Sequence, residues 1–153
     1  MRIAVVALGK IGLPLAVQFA NKGHEVIGVD VSKRRVELVN EAKEPFPGEA
    51  DLQELLSEAV TSGRLRATTN YAEAIPEAEA VILVVPLVVN EDSTPDFRWM
   101  DAATRALAEH LSANTIVSYE TTLPVGTTRE RWKPMIEEIS GLKEGRDFHL
   151  VFS

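Results

Sequence analysis

Short apolar segments alternate along the chain with longer segments in which apolar residues recur every three or four positions. The apolar segments predict six strands, at 2–8, 25–30, 65–68, 80–85, 114–119 and 148–152. The periodic segments predict helices at 11–22, 33–42, 51–61, 71–75, 99–111 and 127–139. Apolar strands that alternate with helices are typical of a parallel sheet covered by helices on both faces.

This alternation predicts an α/β fold with a doubly wound parallel sheet of the Rossmann type, with about six strands in the order 3-2-1-4-5-6. The 153 residues are enough for one ordinary domain, so we expect residues 1–153 to form a single unit. The carboxyl ends of strands one, two, four and five border one crevice in such a sheet. We therefore expect residues 9–12, Asp30, 86–88 and 120–122 to lie close together.

The segment from the first strand to the second carries the parts of a dinucleotide-binding fingerprint. Gly9 and Gly12 precede the first helix, and Asp30 ends the second strand eighteen residues after Gly12. A helix N-terminus attracts a pyrophosphate, glycines let the backbone approach it, and the carboxylate accepts hydrogen bonds from ribose hydroxyls. We expect a side chain at Gly12 to push the helix off the sheet. The alternative is a βαβ unit that packs well and binds nothing.

Ala7 departs from the fingerprint, which has glycine at this position for a tight turn. If the backbone of Ala7 has a positive φ, alanine costs on the order of 1 kcal/mol relative to glycine.

Three basic residues, Lys33, Arg34 and Arg35, closely follow Asp30. They form either a solvated first helical turn or a group in which a guanidinium, that of Arg35, lies near the adenosine ribose. A 2′-phosphate would be attracted by these charges but repelled by Asp30. We therefore predict that the site prefers NAD to NADP.

The second half of the chain has two notable loops. Residues 87–98 are predicted to form a long loop at the ligand-binding edge of the sheet, with Glu91 and Asp92 at a solvated tip. Trp99, at the start of the next helix, is expected to be a packing residue, and the alternative is a platform on which a ligand ring stacks. The segment 120–128, which reads ETTLPVGTT, follows the fifth strand and precedes a helix that is expected to bury Trp132.

Composition excludes several other classes of protein. The net charge of −7 argues against nucleic-acid binding and against attraction to anionic membranes. The chain has no cysteine, no apolar run of about 18 residues and no signal-peptide pattern, so we expect a soluble cytoplasmic protein. The three histidines are scattered, and no spacing predicts a metal site.

Several segments together resemble the nucleotide-sugar dehydrogenases of the UDP-glucose and GDP-mannose type. They occur in the order and spacing of that family and extend over the whole chain: GKIGLPLA at 9–16, GVD at 28–30, SGRLRATT at 62–69, VP at 85–86, PD at 95–96 and ETTLPVGTT at 120–128.

The resemblance implies an NAD-dependent enzyme that oxidises the C6 alcohol of a nucleotide sugar to a carboxylate in two steps. The sugar would be UDP-glucose, a UDP-acetamido sugar or GDP-mannose. In this family a cysteine from a later domain carries a thiohemiacetal and then a thioester, and a threonine and a glutamate place the water that releases the acid. Thr122 matches that threonine. Its alternative role is that of an N-terminal cap on the following helix.

The fingerprint and the resemblance together give the expected cofactor-binding residues: Gly9, Lys10, Ile11, Gly12, Asp30, Arg35, Val85, Pro86, Glu120 and Thr122.

The chain also departs from the family beyond Ala7. Leu87 stands where many members have a threonine whose hydroxyl can bond the cofactor. There is no cysteine, and the sequence stops at Ser153, ahead of the family's central helix and sugar-binding domain. We expect the N-terminal cofactor domain, inactive alone, of an enzyme that forms homo-oligomers. The alternative is a dinucleotide-binding or sensing module without catalysis.

Overall fold

The structure, a computed structural model, describes every residue from Met1 to Ser153. Its strands are β1 (Arg2–Val6), β2 (Glu25–Val29), β3 (Leu65–Thr68), β4 (Ala80–Leu83), β5 (Val88–Val89), β6 (Pro95–Asp96), β7 (Thr115–Tyr119) and β8 (Phe148–Phe152). Its helices are α1 (Gly12–Asn21), α2 (Lys33–Asn40), α3 (Leu52–Thr61), α4 (Tyr71–Ala74), α5 (Arg98–Ala108) and α6 (Lys133–Ser140), with a π-helical segment, Thr128–Trp132, directly before α6. None of the helices is both long and apolar enough to cross a membrane.

The main sheet contains six parallel strands in the order β3-β2-β1-β4-β7-β8. Since β7 and β8 are its fifth and sixth strands, the predicted order and fold class are confirmed. Val6 pairs with Val29 on one side and with Leu83 on the other, and Leu83 pairs with Tyr119. The carboxyl ends of β2, β1, β4 and β7 therefore lie in register along one edge of the sheet.

Each face of the sheet carries its own apolar core. Successive residues of β1 alternate between the cores, with Ile3 and Val5 on one side and Ala4 and Val6 on the other. Helices α1, α2 and α3 contribute to the first core, and α4, α5 and α6 to the second. This alternation follows from the two-residue period of a strand that is buried on both faces.

The observed ends of the predicted elements agree with the sequence prediction to within three residues, but the connections contain two features that were not predicted. The expected loop at 87–98 contains an antiparallel pair in which Val88 faces Asp96 and Val89 faces Pro95. The last helix begins with the π-helical segment instead of a regular α-helical turn.

The two tryptophans differ in their environments. Trp132 is fully buried, as predicted, whereas Trp99 retains 59% of its exposure, so the expectation that Trp99 is a packing residue is wrong. Trp99 lies in the first turn of α5, shortly after the β5-β6 pair, and it is exposed whereas the next residue, Met100, is buried. Glu91 and Asp92 are exposed, in agreement with a solvated tip.

An aromatic cluster holds both ends of the segment 120–127. The rings of Tyr119 and Trp132 stack with centroids 4.4 Å apart and planes 7° from parallel. The Trp132 Nε1 donates to Asp101 Oδ1 at 2.9 Å, and Arg131 donates to both carboxylate oxygens of Asp101 at 2.8 and 2.6 Å. The Arg131 hydrogen bond is the main reason that the pKa of Asp101 lies below its usual value. Strand β7 and the π-helical segment are thereby attached to α5.

Candidate functional site

The turn between β1 and α1 is built around a left-handed residue. Ala7 has a φ of 76°, and its N–H donates to the Val29 carbonyl at 2.8 Å. The positive φ that would make alanine unfavourable is therefore present, at a cost on the order of 1 kcal/mol relative to glycine. This conformation brings the Ala7 carbonyl oxygen next to Gly12.

Gly12 and Gly9 have opposite surroundings. A methyl group at Gly12 would lie 1.9 Å from the Ala7 carbonyl oxygen and 3.4 Å from Val84 Cγ2, so no side chain fits there. The main obstacle is the turn itself, and Val84, which directly follows β4, is a more distant neighbour. A methyl group at Gly9 would meet no atom within 4 Å. Open space thus lies over the middle of the loop.

Four successive amide groups lie in this loop and at the start of α1. The N–H groups of Gly9, Lys10, Ile11 and Gly12 donate to no backbone acceptor, and the first bond of the turn runs from the Leu13 N–H to the Gly9 carbonyl at 3.0 Å. Lys10 and Ile11 are exposed. Unpaired amides at the start of a helix attract anions, because the helix dipole adds partial positive charge there. The loop therefore suits a pyrophosphate.

Asp30 is more enclosed than the sequence suggests, with 4% of its surface exposed. Its Oδ2 accepts hydrogen bonds from the Leu8 N–H and from Arg35 Nη1, both at 2.8 Å, and its Oδ1 accepts the Ser32 N–H at 2.9 Å. A carboxylate has about four acceptor positions. Three are used within the chain, and only Arg35, whose side chain is 36% exposed, can move away without a change in the backbone.

Asp30 therefore connects two parts of the site. The Leu8 N–H belongs to the turn that precedes Gly9, so the carboxylate holds the glycine loop in place from the end of the neighbouring strand. The sequence did not reveal this second role, because it depends on a contact between residues twenty-two positions apart.

The basic cluster divides into two kinds of residue. Lys33 and Arg34 are exposed at the start of α2, where Arg34 lies 3.7 Å from Glu37, as expected for a solvated turn. Arg35 instead contacts Asp30.

The ends of β4 and β7 bring the remaining expected residues to the same edge of the sheet. The Glu120 N–H donates to the Leu83 carbonyl at 2.9 Å, and the Thr121 hydroxyl donates to the Val85 carbonyl at 2.9 Å. Val85 is buried and Pro86 is exposed. These bonds hold the segment 120–122 against the end of β4.

Glu120 and Thr122 differ in exposure and in hydrogen bonding. Glu120 is half-buried and accepts a hydrogen bond from the Ser118 hydroxyl at 2.5 Å. Strand alternation places Ser118 on the same face as Glu120, a signal that the sequence analysis overlooked. Thr122 is exposed and lies well ahead of the helical segment, whose N-cap is Thr127. The alternative interpretation of Thr122 as a helix cap is therefore wrong.

A separate cleft of about 410 Å³ opens at the amino ends of β1 and β2, opposite the glycine loop. Charged residues line it and pair with one another, Arg2 with Glu77 at 2.8 Å and Arg66 with Glu73 at 3.4 Å. None of the expected site residues lies in this cleft. The candidate site is the opposite edge, where the loop amides, Asp30 and the segment 120–122 meet.

The parallel sheet, the loop of unpaired amides and the acid at the end of β2 define a class of protein. The chain is a dinucleotide-binding domain of the Rossmann type.

The particular family follows from a sequence profile described as the UDP-glucose/GDP-mannose dehydrogenase family, NAD binding domain, which matches residues 1–153. The chain belongs to this family, and its cofactor is NAD. The resemblance found in the sequence motifs is confirmed.

Individual relatives agree with this assignment. The GDP-mannose 6-dehydrogenase of Azotobacter vinelandii is 40% identical over 97% of this chain and 34% of its own length. The UDP-N-acetyl-D-mannosamine dehydrogenase of Pyrococcus horikoshii is 33% identical over 99% of this chain and 35% of its own length. A ternary complex of GDP-mannose dehydrogenase from Pseudomonas aeruginosa gives a TM-score of 0.93 at 31% identity over 98% of this chain and 35% of that one. This chain spans about a third of the length of these relatives.

Proposed function

We propose that residues 1–153 form the NAD-binding domain of an enzyme that oxidises the C6 alcohol of a nucleotide sugar to a carboxylate. The observation that carries this proposal is the row of four amides, Gly9 to Gly12, that have no partner in the chain, in a loop with open space over Gly9 and next to the Leu8 N–H that Asp30 binds. The change from alcohol to carboxylate removes four electrons and adds one water oxygen, so it would require two NAD⁺ molecules bound one after the other, each accepting one hydride.

Different residues of the site bind different parts of the cofactor. The amides of 9–12 bind the pyrophosphate, and Asp30 with Arg35 meets the adenosine ribose after Arg35 turns aside. Val85, Pro86, Glu120 and Thr122 border the nicotinamide end. Thr121 is bonded to Val85 and holds this segment in place, so the exposed Thr122 hydroxyl is free to orient a water molecule.

The remaining chemistry requires residues outside these 153. Since the chain has no cysteine, the covalent steps that the family resemblance implies cannot use a nucleophile from this domain. We further propose that the sugar is UDP-glucose, a UDP-acetamido sugar or GDP-mannose, and that the enzyme is a cytoplasmic homo-oligomer. The relatives' names support this choice of sugars, and both NAD and nucleotide sugars are charged molecules that do not cross membranes unaided.

Isothermal calorimetry with this chain tests the cofactor assignment. NAD is expected to bind at least tenfold more tightly than NADP, because the buried Asp30 carboxylate repels a 2′-phosphate at the ribose. Equal affinities would contradict the role of Asp30, and no binding of either dinucleotide would contradict the proposed function.

The role of Thr122 is tested in an enzyme that carries this domain together with the sugar-binding part. Thr122→Ala is expected to lower kcat about 100-fold while the Kd for NAD stays within twofold, since the hydroxyl orients the water molecule and does not contribute to the affinity for the cofactor. Thr122→Ser restores the hydroxyl and should recover most of the rate. An unchanged kcat in Thr122→Ala would remove Thr122 from the catalytic mechanism.

A further inference from the structure

Tyr71 lies beside Asp30 because the ends of β2 and β3 are adjacent. Val29 pairs with Thr68, and the Asp30 N–H donates to the Thr68 carbonyl at 3.1 Å. The chain then turns through Asn70, whose N–H donates to the Thr68 hydroxyl at 3.1 Å and whose side chain accepts the Ala72 N–H at 3.0 Å. These bonds fix the start of α4, and Tyr71 is its first residue.

The Tyr71 side chain is anchored at its ring and unpaired at its hydroxyl. The ring is half-buried and packs against the core between the sheet and α4 to α6. The other tyrosine, Tyr119, shares a hydrogen bond of 2.7 Å with the Thr104 hydroxyl, whereas the Tyr71 hydroxyl has no partner in the chain. The Tyr71 hydroxyl is not among the fully buried side-chain atoms that lack a partner, so it is accessible to solvent and to a ligand.

Two effects raise the pKa of the Tyr71 hydroxyl. Burial raises the pKa of Tyr71 to about 12, and the negative charge of Asp30 adds to the increase. A tyrosine hydroxyl is protonated at neutral pH even without this increase, so the group is a hydrogen-bond donor near the Asp30 carboxylate, which itself is surrounded by donors. A ligand with an acceptor atom at this point would receive a hydrogen bond from the Tyr71 hydroxyl.

We propose that Tyr71 is a positioning residue for the adenosine half of NAD, with its ring bounding the site and its hydroxyl donating to an acceptor on the adenosine. The proposal rests on the function proposed above and adds a third element, the turn between β3 and α4, to the two that hold the adenosine. In this arrangement Asp30 accepts hydrogen bonds from the ribose hydroxyls, and the Tyr71 hydroxyl donates to an acceptor on the adenosine.

The test compares the wild-type chain with Tyr71→Phe, which removes only the hydroxyl, and Tyr71→Leu, which also removes the ring. Tyr71→Phe is expected to weaken binding of NAD and of ADP-ribose by the same factor, about five- to tenfold, without a change in Tm. Tyr71→Leu is expected to weaken both further. Equal affinity of Tyr71→Phe and wild type for ADP-ribose would overturn the proposal.

A second measurement detects contact directly. The chain has two tyrosines, so labelling with tyrosine enriched in ¹³C at the ring Cζ gives two NMR signals, and the spectrum of Tyr71→Phe assigns them. ADP-ribose is expected to shift the Tyr71 signal and leave that of Tyr119 unchanged. If ADP-ribose binds and the Tyr71 signal does not move, Tyr71 has no contact with adenosine and only this inference fails. If the wild-type chain binds neither NAD nor ADP-ribose, the proposed function fails as well.

Discussion

Gly12→Val is expected to abolish NAD binding and to destabilise the domain. The first atom of any side chain at this position would lie 1.9 Å from the Ala7 carbonyl oxygen, a backbone atom that no rotamer change can move. Helix α1 must then shift away from the turn, which separates the amides of 9–12 from each other. Overpacking of this kind typically costs about 1–3 kcal/mol of stability, and a direct backbone clash belongs at or above the upper end. We expect at least a 100-fold loss of affinity together with a lower Tm.

Gly9→Val is the matched variant, because it adds the same side chain three residues earlier. Nothing lies within 4 Å of a methyl group at Gly9, so the domain should fold with a Tm close to that of the wild type. The valine side chain would nevertheless fill the space beside the free amides and exclude the pyrophosphate. Calorimetry and thermal melting of both variants separate the two effects. Binding of NAD by Gly9→Val with wild-type affinity would place the pyrophosphate elsewhere, and a normal Tm for Gly12→Val would contradict the observed turn.

Asp30→Asn is expected to weaken NAD binding by a factor of 30 or more and to lower the free energy of unfolding by about 1–3 kcal/mol. The carboxylate accepts hydrogen bonds from the Leu8 N–H, the Ser32 N–H and Arg35. An amide of the same shape has one oxygen, so it cannot serve donors on both sides, and either the Leu8 N–H or the Ser32 N–H loses its acceptor. Calorimetry gives the affinity, and urea unfolding gives the stability.

Arg35→Met provides the control for Asp30→Asn. It removes the ion pair but leaves both backbone bonds to Asp30, and the Arg35 side chain is about one-third exposed, so its loss should change stability by less than about 1 kcal/mol. If Arg35→Met destabilises the domain as much as Asp30→Asn does, the ion pair and not the bond to Leu8 supports the loop.

We expect the same two positions to determine the choice of cofactor. Asp30→Asn removes the charge that repels a 2′-phosphate and releases Arg35, which can then pair with that phosphate. The ratio of NAD affinity to NADP affinity should therefore fall in Asp30→Asn. In the double variant with Arg35→Met, both dinucleotides should bind weakly.

Strand order, and the edge of the sheet at which the candidate site lies, were predictable because they follow from patterns in neighbouring residues. The apolar strands and the amphipathic helices between them leave few possible topologies, and the positions of Gly9 and Gly12 between β1 and α1 identify the turn. The three donors on Asp30 were not predictable, because the bond from Leu8 exists only once β1 and β2 lie side by side.

Other features depend on which of several neighbouring side chains is buried in the folded chain, and the sequence alone does not show this. Hydropathy favours burial of Trp99, but α5 begins next to the short β5-β6 pair and turns the neighbouring Met100 into the core instead. The π-helical segment before α6 keeps Trp132 stacked on Tyr119 while Arg131 reaches Asp101. Hydrophobic periodicity alone cannot distinguish this segment from an ordinary helical turn.

The left-handed backbone of Ala7 bears on how such domains are found in genomes. A search pattern that demands glycine at this place rejects the chain, although its backbone makes the same turn with a φ of 76°. The constraint at this position is on backbone shape, and residues such as asparagine and aspartate also adopt that shape more readily than most. A pattern that weights the position by tolerance of positive φ, while keeping Gly12 strict, would recover domains that the glycine pattern misses.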